Sequence, residues 1–267
     1  MSRSNITRRT ASGLILGMLV TSPLPALAQA QVVKIGVTPG PHAQILEVVK
    51  SIAAKKGLDI KIIEFSDYVV PNQALDAGEL DANSFQNQPY LDNQKKDRGY
   101  KLESVGLTVN FPLGIYAKKH KAWTDVPDGA RIAIQNDPTN GGRSLLLLQD
   151  KGVIKLKADV GFKPTVADIV DNPKKLKFVE IDAAQTPRSL DDVDAAAVNT
   201  NYATQAGLNP KDAILKEDPK GPYVNLIAVR VGDKDKPWVK TLVEAYHSPE
   251  VKAFVADKFQ GAVIAAW

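Results

Sequence analysis

The chain predicts an α/β protein of two lobes. Three observations carry this. Between Val32 and Gly99, short β-branched runs alternate with helical stretches, and the alternation begins again at Ala130. A strand-like run, Val224–Val231, returns near the C-terminus, so the chain crosses between lobes twice, near Thr108–Gly114 and near Gly221–Leu226. Finally, 267 residues, 44% hydrophobic and 24% charged, suit two small domains of ordinary globular composition and exclude a disordered or fibrous chain.

Residues 1–30 read as a secretory signal. Arg3, Arg8 and Arg9 precede an apolar run, Ala11–Val20, and then Pro23, Pro25 and the small-residue steps Ala26-Leu27-Ala28 and Ala28-Gln29-Ala30. The run is half the ~20 residues that a membrane-spanning helix needs. The mature chain is therefore expected to be exported and periplasmic. With no cysteine anywhere, disulfides, cysteine-rich zinc sites and a cysteine nucleophile are excluded, and the protein is expected not to be lipid-anchored. Beyond residue 30 there remain 31 basic and 30 acidic residues, a balance that argues against nucleic acid as a partner.

The elements follow in order. Val32–Thr38 is a strand closed by Pro39-Gly40-Pro41, and His42–Lys56 carries Ile45, Val48, Val49 and Ile52 on one helical face until Gly57. Ile60–Phe65 is a strand, Asn72–Glu79 a short helix, Leu80–Phe85 a third strand and Pro89–Arg98 a polar helix ended by Gly99. Such alternation predicts parallel strands. The second lobe starts with the strand Ala130–Ile134, the loop Gln135–Gly142 and an apolar helix through Leu148. A helix over Val166–Val170, strands over Leu176–Ile181 and Ala195–Val198, and closing helices within Trp238–Phe259, broken near Pro249, complete the expectation. The lobes are then residues 31–110 with 226–267, and residues 111–225. Two crossings leave a cleft, where small-molecule sites are commonly found.

Leu80–Gln86 (LDANSFQ) and Val193–Asn199 (VDAAAVN) are weakly alike, each carrying Asp-Ala into a strand with polar residues at its end. Ligands of open α/β sheets sit beyond the carboxyl ends of strands, so Gln86 and Asn199 would face one cleft from opposite lobes. Asp137–Ser144 (DPTNGGRS), which includes Asn140, lies between a strand and a helix, its glycines allowing backbone N–H groups close to a ligand. Arg143 is expected in the first turn of that helix, where a cation opposes the dipole unless it holds an anion, and a carboxylate suits its planar fork. Asn199, Asn201 and Asn225 can each accept from an ammonium group and donate to a carboxylate. Tyr68, Phe85, Tyr90 and Phe111 fall near strand ends and could wall an apolar pocket. His42, His120 and His247 are scattered, and neither H-E-x-x-H nor G-x-S-x-G occurs. No cofactor, metal or catalytic group is therefore expected.

Phe65–Leu102, Asn136–Gln149, Pro187–Ala203 and Pro222–Ile227 together closely resemble the NlpA family, the substrate-binding proteins of methionine-uptake ABC transporters, and the likeness runs from about Val33 to Trp267. The resemblance implies a two-lobed periplasmic-binding-protein fold that closes on a free amino acid, typically methionine, and delivers it to an inner-membrane permease. It implies that Arg143 holds the carboxylate, that Asn199 and Asn225 bind the amino and carboxylate groups, and that Tyr68, Phe85 and Tyr90 enclose the side chain. Asn87 stands where the family usually has histidine, and the family's usual lipobox cysteine is missing. The expectation is a monomeric binding protein, not an enzyme. Its rivals are the same fold for another amino acid, D-methionine or a methionine-containing dipeptide, a secreted hydrolase, and a sensor that docks a receptor.

Overall fold

The computed structural model describes Met1 and residues 31–267; residues 2–30 of the expected signal segment lie outside the described residues. In β1 (Gln31–Val37), alternation sends Val33, Ile35 and Val37 into the core. Gly40 then turns the chain at φ 81°, a conformation that strains any side chain, and Pro41 opens α1 (Pro41–Ala54), which buries Ile45, Leu46 and Val49. The alternation continues through β2 (Leu58–Glu64), α2 (Val70–Asp76), β3 (Ala82–Asn87) and α3 (Gln88–Arg98). β4 (Leu102–Asn110), which periodicity alone did not reveal, leads out of this sheet into β5 (Gly114–Tyr116) of the next.

The second sheet is built from β5 and β6 (Arg131–Gln135), followed by α4 (Pro138–Asp150), the short strands β7 (Lys155–Leu156) and β8 (Ile169–Asp171), and β9 (Lys177–Ile181). After these come α5 (Thr186–Ser189), β10 (Ala195–Val198), α6 (Thr200–Gln205) and β11 (Leu215–Lys216). The chain returns to the first sheet in β12 (Val224–Arg230), covers it with α7 (Pro237–Tyr246) and α8 (Pro249–Phe259), and ends in β13 (Ile264–Ala265). The strand orders are β13-β4-β12-β3-β1-β2 and β11-β5-β10-β6-β9, with β7 and β8 forming a separate ribbon. Each sheet has its own apolar core: α1, α7 and α8 cover the first, and Leu145 and Leu148 of α4 pack with Ile132 and Ile134 in the second.

Three expectations are corrected. The strands are not all parallel: β1 pairs in parallel with β2 and β3, and β6 with β9 and β10, but β12 runs against β3 and β4, and β5 against β10. Topology is the cause, because a strand returning from the other lobe enters its sheet where the parallel strands leave it. Val166–Val170 is not a helix. A single 3₁₀ turn, Val166–Asp168, is closed by Asp168 accepting from the Thr165 N–H at 2.9 Å, and β-branched Ile169 and Val170 then pair as β8 with β7. The third correction concerns Gln135–Gly142: α4 already begins at Pro138, so Asn140, Gly141 and Gly142 are helical.

Candidate ligand-binding site

The carboxyl ends of β3, β6 and β10 and the start of β12 converge on a cavity between the two sheets. The eight residues selected from the sequence as ligand contacts all line it: Tyr68, Phe85, Asn87 and Tyr90 from the first sheet's side, Asn140, Arg143 and Asn199 from the second, and Asn225 from the returning strand. His42, Gln86, Phe111, Thr200 and Asn201 complete the wall.

Arg143 is 3% exposed and stands in the second turn of α4, not the first. The dipole argument made for it is corrected accordingly, since the start of the helix is already capped. Asp137 accepts from the Asn140 backbone N–H at 2.9 Å and its side-chain Nδ2 at 2.9 Å. Burial pushes the Asp137 carboxyl above the ordinary range, and these two bonds pull it back. The glycines also serve another purpose. A Cβ on Gly141 would meet the Gln135 carbonyl oxygen at 2.5 Å, and one on Gly142 would meet the Phe162 carbonyl oxygen at 2.7 Å. They let α4 pack on β6 and on the 162–164 segment.

The guanidinium is held from three directions. Nε donates to Glu217 Oε1 at 3.0 Å, and Nη2 donates to the Phe111 carbonyl at 2.9 Å and to Glu217 Oε2. The ring of Tyr223 lies 4.2 Å from Cζ. Phe111 belongs to the first crossing and Glu217 and Tyr223 to the second, so Arg143 is tied to both connections between the sheets. Its Nη1 donors take part in none of these bonds.

A line of amides runs beside it. Asn199 Nδ2 donates to Asn140 Oδ1 at 2.9 Å, and Gln135 Nε2 donates to Asn199 Oδ1 at 2.8 Å; Ser144 Oγ in turn donates to Gln135 Oε1 at 2.6 Å. Because Asp137 Oδ2 takes the Asn140 Nδ2 donor, it orients Asn140, and Asn140 orients Asn199. On the opposite side Gln86 spends its amide on Asn72 and Asn83, all three buried, and forms a neutral floor. Asn87 caps α3 by accepting from the Tyr90 N–H at 3.0 Å and lies opposite Asn225 in the β3–β12 register.

The apolar wall is a triangle of rings. Tyr68 lies 5.9 Å from Phe85 and 6.1 Å from Tyr90, Phe85 lies 6.1 Å from Tyr90, and Tyr90 Oη donates to the Tyr68 carbonyl at 2.9 Å. Burial raises the phenol pKa values of Tyr68 and Tyr90, so both remain neutral. His42 stacks on Phe111 at 4.5 Å, and burial pushes its imidazole down to about 3. The two sheets are bonded across the cavity: Tyr68 Oη donates to Asn201 Oδ1 at 2.6 Å and Tyr202 Oη to the Ser66 carbonyl at 3.2 Å.

Of the lining residues not selected as ligand contacts, Asn201 and Phe111 were visible as polar and aromatic candidates, and Gln86 was marked by its match to Asn199. Nothing in the local sequence marks His42 or Thr200, or Glu217, which lies behind Arg143 and off the lining. Together these groups offer one donor edge on a cation, neutral amides that donate and accept, and an aromatic wall. That set is complementary to a carboxylate, an ammonium group and an apolar side chain on one small molecule.

Comparison with known proteins points the same way. The model of the family described as NlpA lipoprotein matches residues 33–267. The D-methionine-binding lipoprotein MetQ of Escherichia coli K12 is 52% identical over 239 residues, 88% of each chain. Outer membrane lipoprotein 3 of Mannheimia haemolytica is 47% identical over 241 residues, 90% of this chain and 92% of that protein. A nutrient-binding protein from Burkholderia cenocepacia, solved bound to methionine, superimposes with a TM-score of 0.86 at 57% identity, covering 88% of this chain and 100% of that one. A periplasmic substrate-binding protein of an ABC transporter from Coxiella burnetii gives 0.85 at 50% identity, over 88% and 100% of the chains. The fold is that of these periplasmic binding proteins. One expectation is overturned: the family, the Escherichia coli relative and the Mannheimia haemolytica relative are described as lipoproteins, so the reading of a protein that is not lipid-anchored, drawn from the absence of cysteine, is withdrawn. A location outside the cytoplasm fits both.

Proposed function

The chain belongs to the NlpA lipoprotein family, and we propose that it is the substrate-binding protein of an ABC importer, capturing methionine outside the cytoplasm and delivering it to an inner-membrane permease. It makes and breaks no bond. The observation that carries the reading is the convergence of Arg143, the oriented Asn140–Asn199 pair and the Tyr68–Phe85–Tyr90 triangle on one cavity. In this reading Arg143 Nη1 receives the carboxylate, Asn199 and Asn225 serve the amino and carboxylate groups, and the three rings with Asn87 enclose the thioether side chain. Residues 31–110 with 226–267 and residues 111–225 form the two lobes that close over it, in one copy of the chain. Ligand favours closure only through its higher affinity for the closed form.

Calorimetric titration of refolded, ligand-stripped protein with L- and D-methionine tests this. One-to-one, submicromolar binding of either enantiomer is expected. No binding of methionine by a folded protein overturns the reading, and a methionine-containing dipeptide or another amino acid is then the next titrant. Arg143→Ala is expected to weaken methionine binding by about 2–5 kcal/mol, the range for truncating a buried charge partner. Unchanged affinity in that variant would sink its assignment to the carboxylate.

A further inference from the structure

The cavity has a charge balance that Arg143 alone does not explain. Among the described residues Arg143 bears the one formal charge on its lining: His42 is neutral, and the remaining wall is amides, a threonine hydroxyl, phenols and phenyl rings. A buried guanidinium facing an otherwise neutral cavity would favour an anion over a zwitterion. Glu217 changes this. Its side chain is 13% exposed, takes both Nε and Nη2 of Arg143, and accepts from the Leu113 N–H at 3.0 Å, so it is anchored to the first crossing as well. Glu217 lines a separate surface pocket beyond Arg143 and does not line the ligand cavity.

We infer that Glu217, acting through Arg143, sets the charge preference of the site: the neutralised pair makes the cavity select zwitterionic amino acids over the corresponding α-hydroxy acids, which carry a carboxylate and no ammonium group. The inference rests on the proposed amino-acid function. Entry of a zwitterion beside a neutral pair leaves no net buried charge, whereas entry of a hydroxy-acid anion leaves one charge without a partner. Asp137, behind Asn140, is a second part-buried carboxylate nearby, and it is the same in every variant compared. Glu217 is thus a positioning and specificity residue without ligand contact of its own.

The test is the ratio of affinities for L-methionine and its α-hydroxy-acid analogue in the wild type, Glu217→Gln and Glu217→Asp, with leucine and phenylalanine and their hydroxy acids as further pairs. Glu217→Gln is expected to shift the ratio toward the hydroxy acid on the order of fiftyfold, as for a unit charge ~7 Å away at an effective dielectric of about 20. Glu217→Asp, which keeps the charge, is expected to hold the ratio near that of the wild type. An unchanged ratio in Glu217→Gln, with circular dichroism intact, overturns the inference. So does an equal shift in both variants, which would place the effect in geometry instead of charge. A wild type that binds the other amino acids but not methionine counts against the methionine reading alone and leaves the charge rule measurable on those pairs. Binding of no pair member overturns both.

Discussion

At the scale of single residues, burial decides what each polar group does in the site. His42 is an ionisable group by composition, but stacked on Phe111 and 5% exposed it is a neutral aromatic wall. Its folded pKa of about 3 lies below the ordinary 6.5, so between those values the unfolded chain binds the extra proton. The contribution of neutral His42 to stability is therefore complete above pH 6.5 and is lost as the pH falls toward 3, by at most about 1.4 kcal/mol per pH unit. Asp137 acts in the opposite sense: its raised carboxyl stabilises the fold at low pH, and that share is lost as the pH rises through its folded value. We expect His42→Gln to be less stable than the wild type at pH 7, and to lose less stability between pH 6.5 and 4, as read by urea unfolding across pH. A wild-type slope retained in the variant would assign the acid sensitivity elsewhere.

At the scale of elements, α4 sets the geometry of the second lobe's half of the site. Its start is capped by Asp137, its second turn carries Arg143, and its glycines allow a close approach to β6 and the 162–164 segment. In an exposed helix, replacing glycine by alanine favours stability by about 1 kcal/mol. Gly142→Ala is expected to do the reverse. Its methyl group meets backbone at 2.7 and 2.8 Å, which cannot rotate away, so a net loss of about 1–3 kcal/mol follows from overpacking. Thermal denaturation would check it, and a stabilised variant would mean that the segment yields freely.

At the scale of the whole molecule, the bond from Tyr68 to Asn201 links the two sheets next to the cavity. Tyr68→Phe keeps the ring and removes that bond, whose net worth is about 0.5–1.5 kcal/mol. Methionine affinity is expected to fall by the corresponding two- to tenfold, chiefly through faster dissociation in stopped-flow measurements, with the melting temperature of ligand-free protein nearly unchanged. Methionine at 100 times its Kd is expected to stabilise the wild type by ~2.7 kcal/mol. For a chain of this size that corresponds to a rise in Tm of roughly 5–11 °C.

The sequence by itself determined the two α/β units, the order of most of their elements and the residue types that face the cavity. These properties are local: β-branched runs and helical periodicity reveal strands and helices, while Pro-Gly turns and strand ends reveal where side chains face outward. Family likeness in the Tyr68–Tyr90, Asn140–Arg143 and Asn199 segments added the ligand chemistry. Only the tertiary structure decided what depends on distant partners. β12 lies antiparallel between β3 and β4 because it returns from the other lobe, and no local signal encodes that direction. Gly141 and Gly142 look like a ligand loop in sequence, yet they are a packing surface, because Gln135 and Phe162 approach them in space. Glu217 stands 74 residues from Arg143 in an unremarkable acidic segment, and folding brings its carboxylate onto the guanidinium. Electrostatic balance depends on distances in space, and those exist only once the chain has crossed twice.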